Sequence, residues 1–327
     1  MTAAPLIEVD DLKVHFRVKA GGLMAREAVL KAVDGVSFTL ARGETLGIVG
    51  ESGCGKSTLG RAVLQLIAPT AGRVAWLGRP IQGLSAADMR PLRRDMQIVF
   101  QDPLAALDPR MTIGEAIGEP LDTFLPSLPK AGRRARVQEM MAKVGLSPQM
   151  VNRYPHEFSG GQCQRVGIAR AMILNPKLIV CDEPVSALDV SIQAQIINLL
   201  IRLQQEFDLS LILISHDLSV VRQISHRVLV LYLGRAMEIA GRDELYATPR
   251  HPYTQALISA VPIPDPDREA NKPPVRLTGD LPSPFEPPSG CLFRTRCPRA
   301  TALCAAAAPP EDAVSKSHRV FCHHWRE

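Results

Sequence analysis

The sequence predicts an α/β fold with a mostly parallel sheet, followed by a small cysteine-rich tail. Three observations predict it. Short apolar runs without polar alternation recur along the chain, as in strands covered on both faces. Amphipathic helical stretches separate them. A glycine-rich loop joins one such run to one such helix.

In chain order, Thr45-Leu46-Gly47-Ile48-Val49 reads as the first buried strand. Leu59, Ala62, Val63, Leu66 and Ile67 share one helical face after the glycine-rich loop. Residues 73–79 read as a strand, a turn and a strand. Residues 105–172 read as mainly helical, an inserted subdomain. Leu178-Ile179-Val180-Cys181, Leu211-Ile212-Leu213-Ile214 and Val228-Leu229-Val230-Leu231 read as further strands. Between the first two, Ile192, Ile196, Leu199, Leu200, Leu203 and Phe207 form a stripe at helical spacing. Residues 262–290 hold nine of the 27 prolines, too many for helix or central strand, and read as a linker. The expected division is residues 1–258 and a linker with its tail over 259–327.

The 327 residues suggest about two domains at roughly 150 each. A net charge of +5 is too small and too diffuse to imply a nucleic-acid partner. The clusters Arg90, Arg93, Arg94 and Arg133, Arg134, Arg136 read as solvated helix faces. No run nears the roughly 18 apolar residues of a membrane span. The first residues are acidic where a leader would be basic and then apolar. The expectation is a cytosolic chain that meets any membrane through a partner.

Gly50-Glu51-Ser52-Gly53-Cys54-Gly55-Lys56-Ser57-Thr58 fits the phosphate-loop pattern, between a buried strand and an amphipathic helix. Glycines let the backbone wrap so that successive N–H groups face an anion, and the helix dipole adds to the attraction. Lys56 is expected at the β- and γ-phosphates of a bound nucleotide and Ser57 on Mg²⁺. Cys54 reads as a loop filler. Downstream, an apolar strand ends in Asp182 and Glu183, at the sheet edge where ligands sit. Asp182 is expected to hold Mg²⁺ through water, and Glu183 to polarise the attacking water. Ser159 before Gly160, Gly161 and Gln162 reads as a helix N-cap, a second helix start able to meet an anion.

With these motifs in this order, residues 6–255 resemble the nucleotide-binding subunit of an ABC transporter, a P-loop NTPase. The fold this implies has an antiparallel β subdomain and a helical subdomain. Gln101 matches the Q-loop glutamine, Phe158-Ser159-Gly160-Gly161-Gln162 the signature motif, and Asp182 with Glu183 the Walker B pair. Ser186-Ala187-Leu188-Asp189 matches the D-loop and His216 the switch histidine. Phe16 is a weaker match to the aromatic that stacks on adenine, and a core position suits it equally. The stretch from Cys181 to Gln195, His251-Pro252-Tyr253-Thr254 and the tail resemble the oligopeptide/dipeptide permease ATPases. Val185-Ser186 and the insert near 20–28 resemble the F-type paralogue.

The resemblance implies a peptide-importing ATPase whose cassettes face each other head to tail. Each ATP lies between the phosphate loop of one and the signature helix of the other. Glu183, His216 and Gln101 would be catalytic, with Gln101 also on Mg²⁺. The implied partners are a D-type ATPase paralogue, two transmembrane permease subunits and an extracytoplasmic peptide-binding protein. The implied place is the cytoplasmic face of the inner membrane, held peripherally. Nickel or glutathione cargo, or a soluble role, are the alternatives.

Seven cysteines are present, and Cys291, Cys297, Cys304 and Cys322 lie in the last 37 residues, where an even scatter would place about one. In a reducing compartment such a quartet points to metal. The family resemblance implies a 4Fe–4S cluster. Zinc suits the same thiolates, free thiols are the third reading, and His318, His323 and His324 are further candidate ligands.

Overall fold

A computed structural model describes residues 4–20, 26–262 and 279–327. Parts of the linker and of the insert near 20–28 lie outside the described residues. In order, the elements are β1 (Ile7–Ala20), β2 (Arg26–Leu40), β3 (Thr45–Val49), α1 (Lys56–Val63), β4 (Ala71–Trp76), β5 (Arg79–Pro80), α2 (Ala86–Arg93) and β6 (Met96–Val99). Then come α3 (Ile113–Phe124), α4 (Lys130–Lys143), α5 (Gly160–Met172), β7 (Leu178–Asp182), α6 (Val190–Phe207) and β8 (Ser210–Ile214). The chain continues with α7 (Leu218–Ile224), β9 (Arg227–Tyr232), β10 (Arg235–Gly241), α8 (Arg242–Ala247), α9 (Pro252–Ser259), α10 (Ala302–Ala306), β11 (Asp312–Ala313) and β12 (Arg319–Val320). No described helix is long and apolar enough to cross a membrane.

The chain forms two compact units. One holds the described residues within 1–40, 46–82 and 215–327. Within it β1 pairs antiparallel with both β2 and β4, and β4 turns back into β5. β3 runs parallel to β9, whose fully apolar segment Val228–Leu231 is buried. β9 pairs antiparallel with β10.

The other unit holds residues 41–45 and 83–214. Its strands β6, β7 and β8 are parallel, and every residue of β7 and β8 is buried, which explains the apolar runs Leu178–Cys181 and Leu211–Ile214. α6 buries Ile196, Leu199, Leu200 and Leu203 of the predicted stripe, each worth about 2 kcal/mol of transfer free energy, while Ile192 and Phe207 at its ends are half-buried. The predicted helical insert is present as α3, α4 and α5. Thr112 and Glu115 form a reciprocal capping box that starts α3. One arginine of each cluster is engaged. Arg133 pairs with Asp122, and Arg90 donates to the Thr123 carbonyl at 3.1 Å.

The tail docks on the first unit. Its strand β12 adds antiparallel to β10, matching Val320 to Glu238. The docking encloses a charged cluster. Glu238 is fully buried and its carboxylate accepts from the Arg250 and His251 backbone N–H groups at 2.7 and 3.0 Å. It also takes His318 Nε2 at 2.6 Å. His318 Nδ1 lies 3.2 Å from Glu244 Oε1, off the hydrogen-bond line. Burial lowers the His318 pKa, but Glu238 and Glu244 outweigh it and the net direction is upward. A raised folded pKa stabilises fully below the unfolded value of about 6.5 and is lost as pH climbs through the folded value. His318→Gln is expected to cost roughly 2 kcal/mol at mildly acidic pH, and the cost shrinks in alkali. Paired thermal melts across that range check it; a gap that stays constant with pH contradicts the charged pairing.

Candidate functional site

The first unit carries the phosphate loop. β3 is buried throughout and delivers the chain to Gly50. Gly55 has φ +101, and a Cβ there would lie 1.9 Å from the Ala32 carbonyl oxygen, so only glycine fits. α1 then begins at Lys56 with no side chain capping it, which suits a helix start that meets an anion. Lys56 is 5% exposed, and its Nζ donates to the carbonyls of Gly50 at 2.8 Å and Glu51 at 3.0 Å. The ammonium thus bridges the front of the loop. Ser52 and Gly53 at the tip are exposed, and Ser57 and Thr58 are half-buried on the first turn of α1. Cys54 is buried, and burial pushes its thiol pKa up, which agrees with a filler and not a nucleophile.

His216 belongs to the same unit. It stands exposed on the turn after β8, and Ser215 N donates to the Ile48 carbonyl in β3 at 3.2 Å. The turn therefore lies beside the strand that feeds the phosphate loop. Asp217 caps α7 by accepting from Ser219 N at 2.8 Å, which fixes the turn. Phe16, in β1, is 37% exposed, so it is not the core phenylalanine that the sequence equally allowed.

The second unit carries the carboxylates and the signature helix. Asp182 ends β7 and is 1% exposed. Glu183 follows at φ +47, left-handed backbone that costs about 1–2 kcal/mol for a residue with a Cβ. Its N–H donates to the Ile214 carbonyl at 3.0 Å. Its Oε2 accepts from Gln101 Nε2 at 3.0 Å, so the structure brings the expected water-activating acid and the Q-loop amide together. Ser159 caps α5 as predicted. Its Oγ accepts from Gln162 N at 3.4 Å while Gln162 Oε1 accepts from Ser159 N at 3.0 Å. Ser159 and Gly160 are exposed, and Gly161 and Gln162 half-buried. Asp189 starts α6 on the surface, followed by Val190 at 81% exposure. The same unit has a groove of about 240 Å³ lined by Phe100, Pro103, Leu107, Pro120 and Phe124, just past Gln101.

In the tail, none of the four cysteines is in a disulfide. Gly290 has φ +63 and lies against the Cys304 carbonyl, where a Cβ would approach to 2.3 Å; Cys291 N donates to that same oxygen at 2.8 Å. Burial raises the pKa of Cys291, Cys297 and Cys322, the last to about 11. The charges of Cys297, Cys291 and Cys304 add to the upward shift at Cys322. No group of three or more His, Cys, Asp or Glu among the described residues is arranged to hold a metal ion. The three histidines are engaged elsewhere. His318 is on Glu238, His323 on the Ala307 carbonyl at 3.1 Å, and His324 on Thr301 at 2.9 Å.

Sequence reasoning missed two residues that shape the loop. Tyr253 is fully buried, and its OH accepts from Glu51 N at 2.9 Å. In the sequence it was only part of a family marker. Arg296 lies 245 positions from Glu51 and pairs with it; nothing in the sequence joins two residues so far apart.

The phosphate loop, the capped signature helix and the Gln101–Glu183 pair define an ATP-binding cassette ATPase, which binds ATP with Mg²⁺. Comparisons agree. Residues 33–186 match the family model described as ABC transporter, and residues 237–304 match the one for the oligopeptide/dipeptide transporter C-terminal region. The oligopeptide transport ATP-binding protein OppF of Salmonella typhimurium is 61% identical over 97% of this chain and 95% of its own length. AppF of Bacillus subtilis is 52% identical over 99% of both. Among solved structures, the post-hydrolysis dimer of the cassette MJ0796, bound to ADP and Pi, has a TM-score of 0.65 at 28% identity. It covers 72% of this chain and 98% of that one. The cbiO1 structure from Clostridium perfringens gives 0.64 at 27%, over 75% of this chain and 91% of that one. The chain belongs to the oligopeptide/dipeptide permease family of ABC transporter ATP-binding subunits, in its F-type branch.

Proposed function

We propose that this chain is the ATP-hydrolysing subunit of a peptide importer, working in a head-to-tail pair of cassettes at the cytoplasmic face of the membrane. The observation that carries the reading is likeness over nearly the whole chain to oligopeptide transport ATP-binding proteins, the C-terminal region included. In the pair, the phosphate loop Gly50–Thr58 of one cassette and Ser159, Gly160, Gly161 and Gln162 of the other enclose one ATP. Exposed Ser159, Asp189 and Val190 support a surface that is covered on pairing. Lys56 meets the β- and γ-phosphates and Phe16 stacks on adenine.

Ser57, Asp182 and Gln101 offer the hard oxygen donors that Mg²⁺ prefers, and the ion supplies charge neutralisation on the phosphates. Glu183 takes a proton from the attacking water. Gln101 orients that carboxylate, and His216 holds the γ-phosphate geometry. Charge stabilisation and positioning are most of what phosphoryl transfer needs.

The groove past Gln101 receives a short helix of a permease subunit. Its place next to the Q-loop and its mixed lining, with Phe100, Leu107 and Phe124 beside Glu119 and Arg170, support this. The second cassette is a D-type paralogue, two permease subunits span the membrane, and an extracytoplasmic binding protein delivers the peptide. The test is hydrolysis by the complex reconstituted in vesicles. Peptide-loaded binding protein is expected to stimulate it several-fold. Indifference to peptide contradicts the cargo.

For the tail, a 4Fe–4S cluster is the reading, supported by the crowding of four cysteines into the last 37 residues with none in a disulfide. The cluster would supply four iron–thiolate bonds that tie residues 291–322 together; zinc would do the same. All four thiols must lose their protons to bind it. Protein purified without oxygen is expected to be brown, with iron and sulfide in equal amounts. Colourless protein holding zinc selects the alternative, and metal-free protein contradicts both.

A further inference from the structure

We propose that Arg296, on the C-terminal extension, is a positioning residue for the phosphate loop. By pairing with Glu51 it fixes and neutralises the only carboxylate inside that loop, so the triphosphate meets a preformed cradle with no competing negative charge. This rests on the reading of residues 50–58 as the nucleotide cradle.

The pairing is a fork. Arg296 Nη1 lies 2.7 Å from Glu51 Oε2 and Nη2 lies 3.0 Å from Oε1. Two parallel bonds fix direction as well as charge, which lysine does not do. Arg296 is 8% exposed, and its guanidinium sits 6.0 Å from the centre of the Tyr232 ring. Among the described residues its Nε has no hydrogen-bond partner, and Glu51 is the charge that faces this buried cation.

Glu51 is gripped at two further points. Its N–H donates to Tyr253, its carbonyl accepts from Lys56, and Lys56 also bonds the preceding Gly50 carbonyl. Arg296 is itself held from behind. Phe293, three residues earlier, is fully buried against Tyr232 and Tyr253, with ring centres 5.4 and 5.3 Å away. The tail therefore reaches the nucleotide loop through one packed aromatic cluster and one ion pair.

Without Arg296, Glu51 keeps a charge of the same sign as the triphosphate and loses its direction. Such a neighbour weakens binding by roughly tenfold. The test is MgATP affinity of the full-length chain by calorimetry, with kcat and KM of the assembled complex. Arg296→Gln is expected to raise Kd and KM about tenfold and leave kcat within about twofold. Glu51→Gln with Arg296→Gln, which removes both charges, is expected to recover most of the lost affinity. Arg296→Lys keeps the charge without the fork, and about threefold weakening is expected.

Unchanged affinity in Arg296→Gln and Arg296→Lys overturns the proposal. So does a double variant as weak as Arg296→Gln, since that marks a purely structural loss. A wild-type chain that bound no MgATP would overturn the cradle itself, a separate and visible failure.

Discussion

Replacing Glu183 with glutamine is expected to cut ATP hydrolysis at this chain's site by about 10²–10⁴-fold while MgATP still binds. The substitution keeps the size of the side chain and an amide oxygen able to accept from Gln101, now 3.0 Å from the carboxylate. It removes the one thing an amide cannot do, which is take a proton from water. The position also carries a φ of +47 in a non-glycine residue, strain of the sort that persists where a side chain must point in one direction. Bound ATP then stays intact, and the paired cassettes stay closed for longer. Single-turnover phosphate release and nucleotide binding on the same sample measure both halves. Wild-type turnover in the assembled complex removes Glu183 from the mechanism.

Lys56→Ala is expected to weaken MgATP binding by about 10²-fold. Two losses combine. The ammonium no longer meets the phosphates, and the Gly50 and Glu51 carbonyls lose the donor that draws the front of the loop together. Because Lys56 is almost wholly buried, no other cation takes its place from solvent. Calorimetric titration of the variant checks this, and unchanged affinity contradicts the cradle. Melting temperature without nucleotide separates a loop defect from unfolding.

Most of the candidate site is legible in the sequence because phosphate chemistry constrains local sequence. A loop that wraps an anion needs glycines at fixed offsets and a helix directly behind it, so residues 50–58 declare themselves. The cap at Ser159 is equally local, since its partner Gln162 is three residues away. The strands β7 and β8 were visible because burial on both faces erases polar alternation. The long hairpin of β1 and β2 was not traced from its residues; it entered only through the resemblance.

What stayed hidden is long-range. Glu238 with His318, Glu51 with Arg296, and Glu51 with Tyr253 join residues 80, 245 and 202 positions apart. No spacing rule reports such pairs. The marker His251-Pro252-Tyr253-Thr254 identified a family without revealing its physics. His251 Nδ1 accepts from Tyr253 N at 3.0 Å to start α9, and burial pulls the imidazole's pKa down to about 4, which keeps it neutral for that task. The crowding of the tail cysteines is legible in the sequence, but not the docking of β12 on β10.

The central claim is that hydrolysis needs two cassettes, each completing the other's site. The direct measurement is phosphate release across size-separated fractions of wild-type and Ser159→Arg protein. Activity is expected only in fractions holding paired cassettes, and the substitution is expected to abolish it at the partner's site while leaving MgATP binding by its own chain intact. A monomer that hydrolyses ATP at full rate, whether or not Ser159 is replaced, contradicts the account.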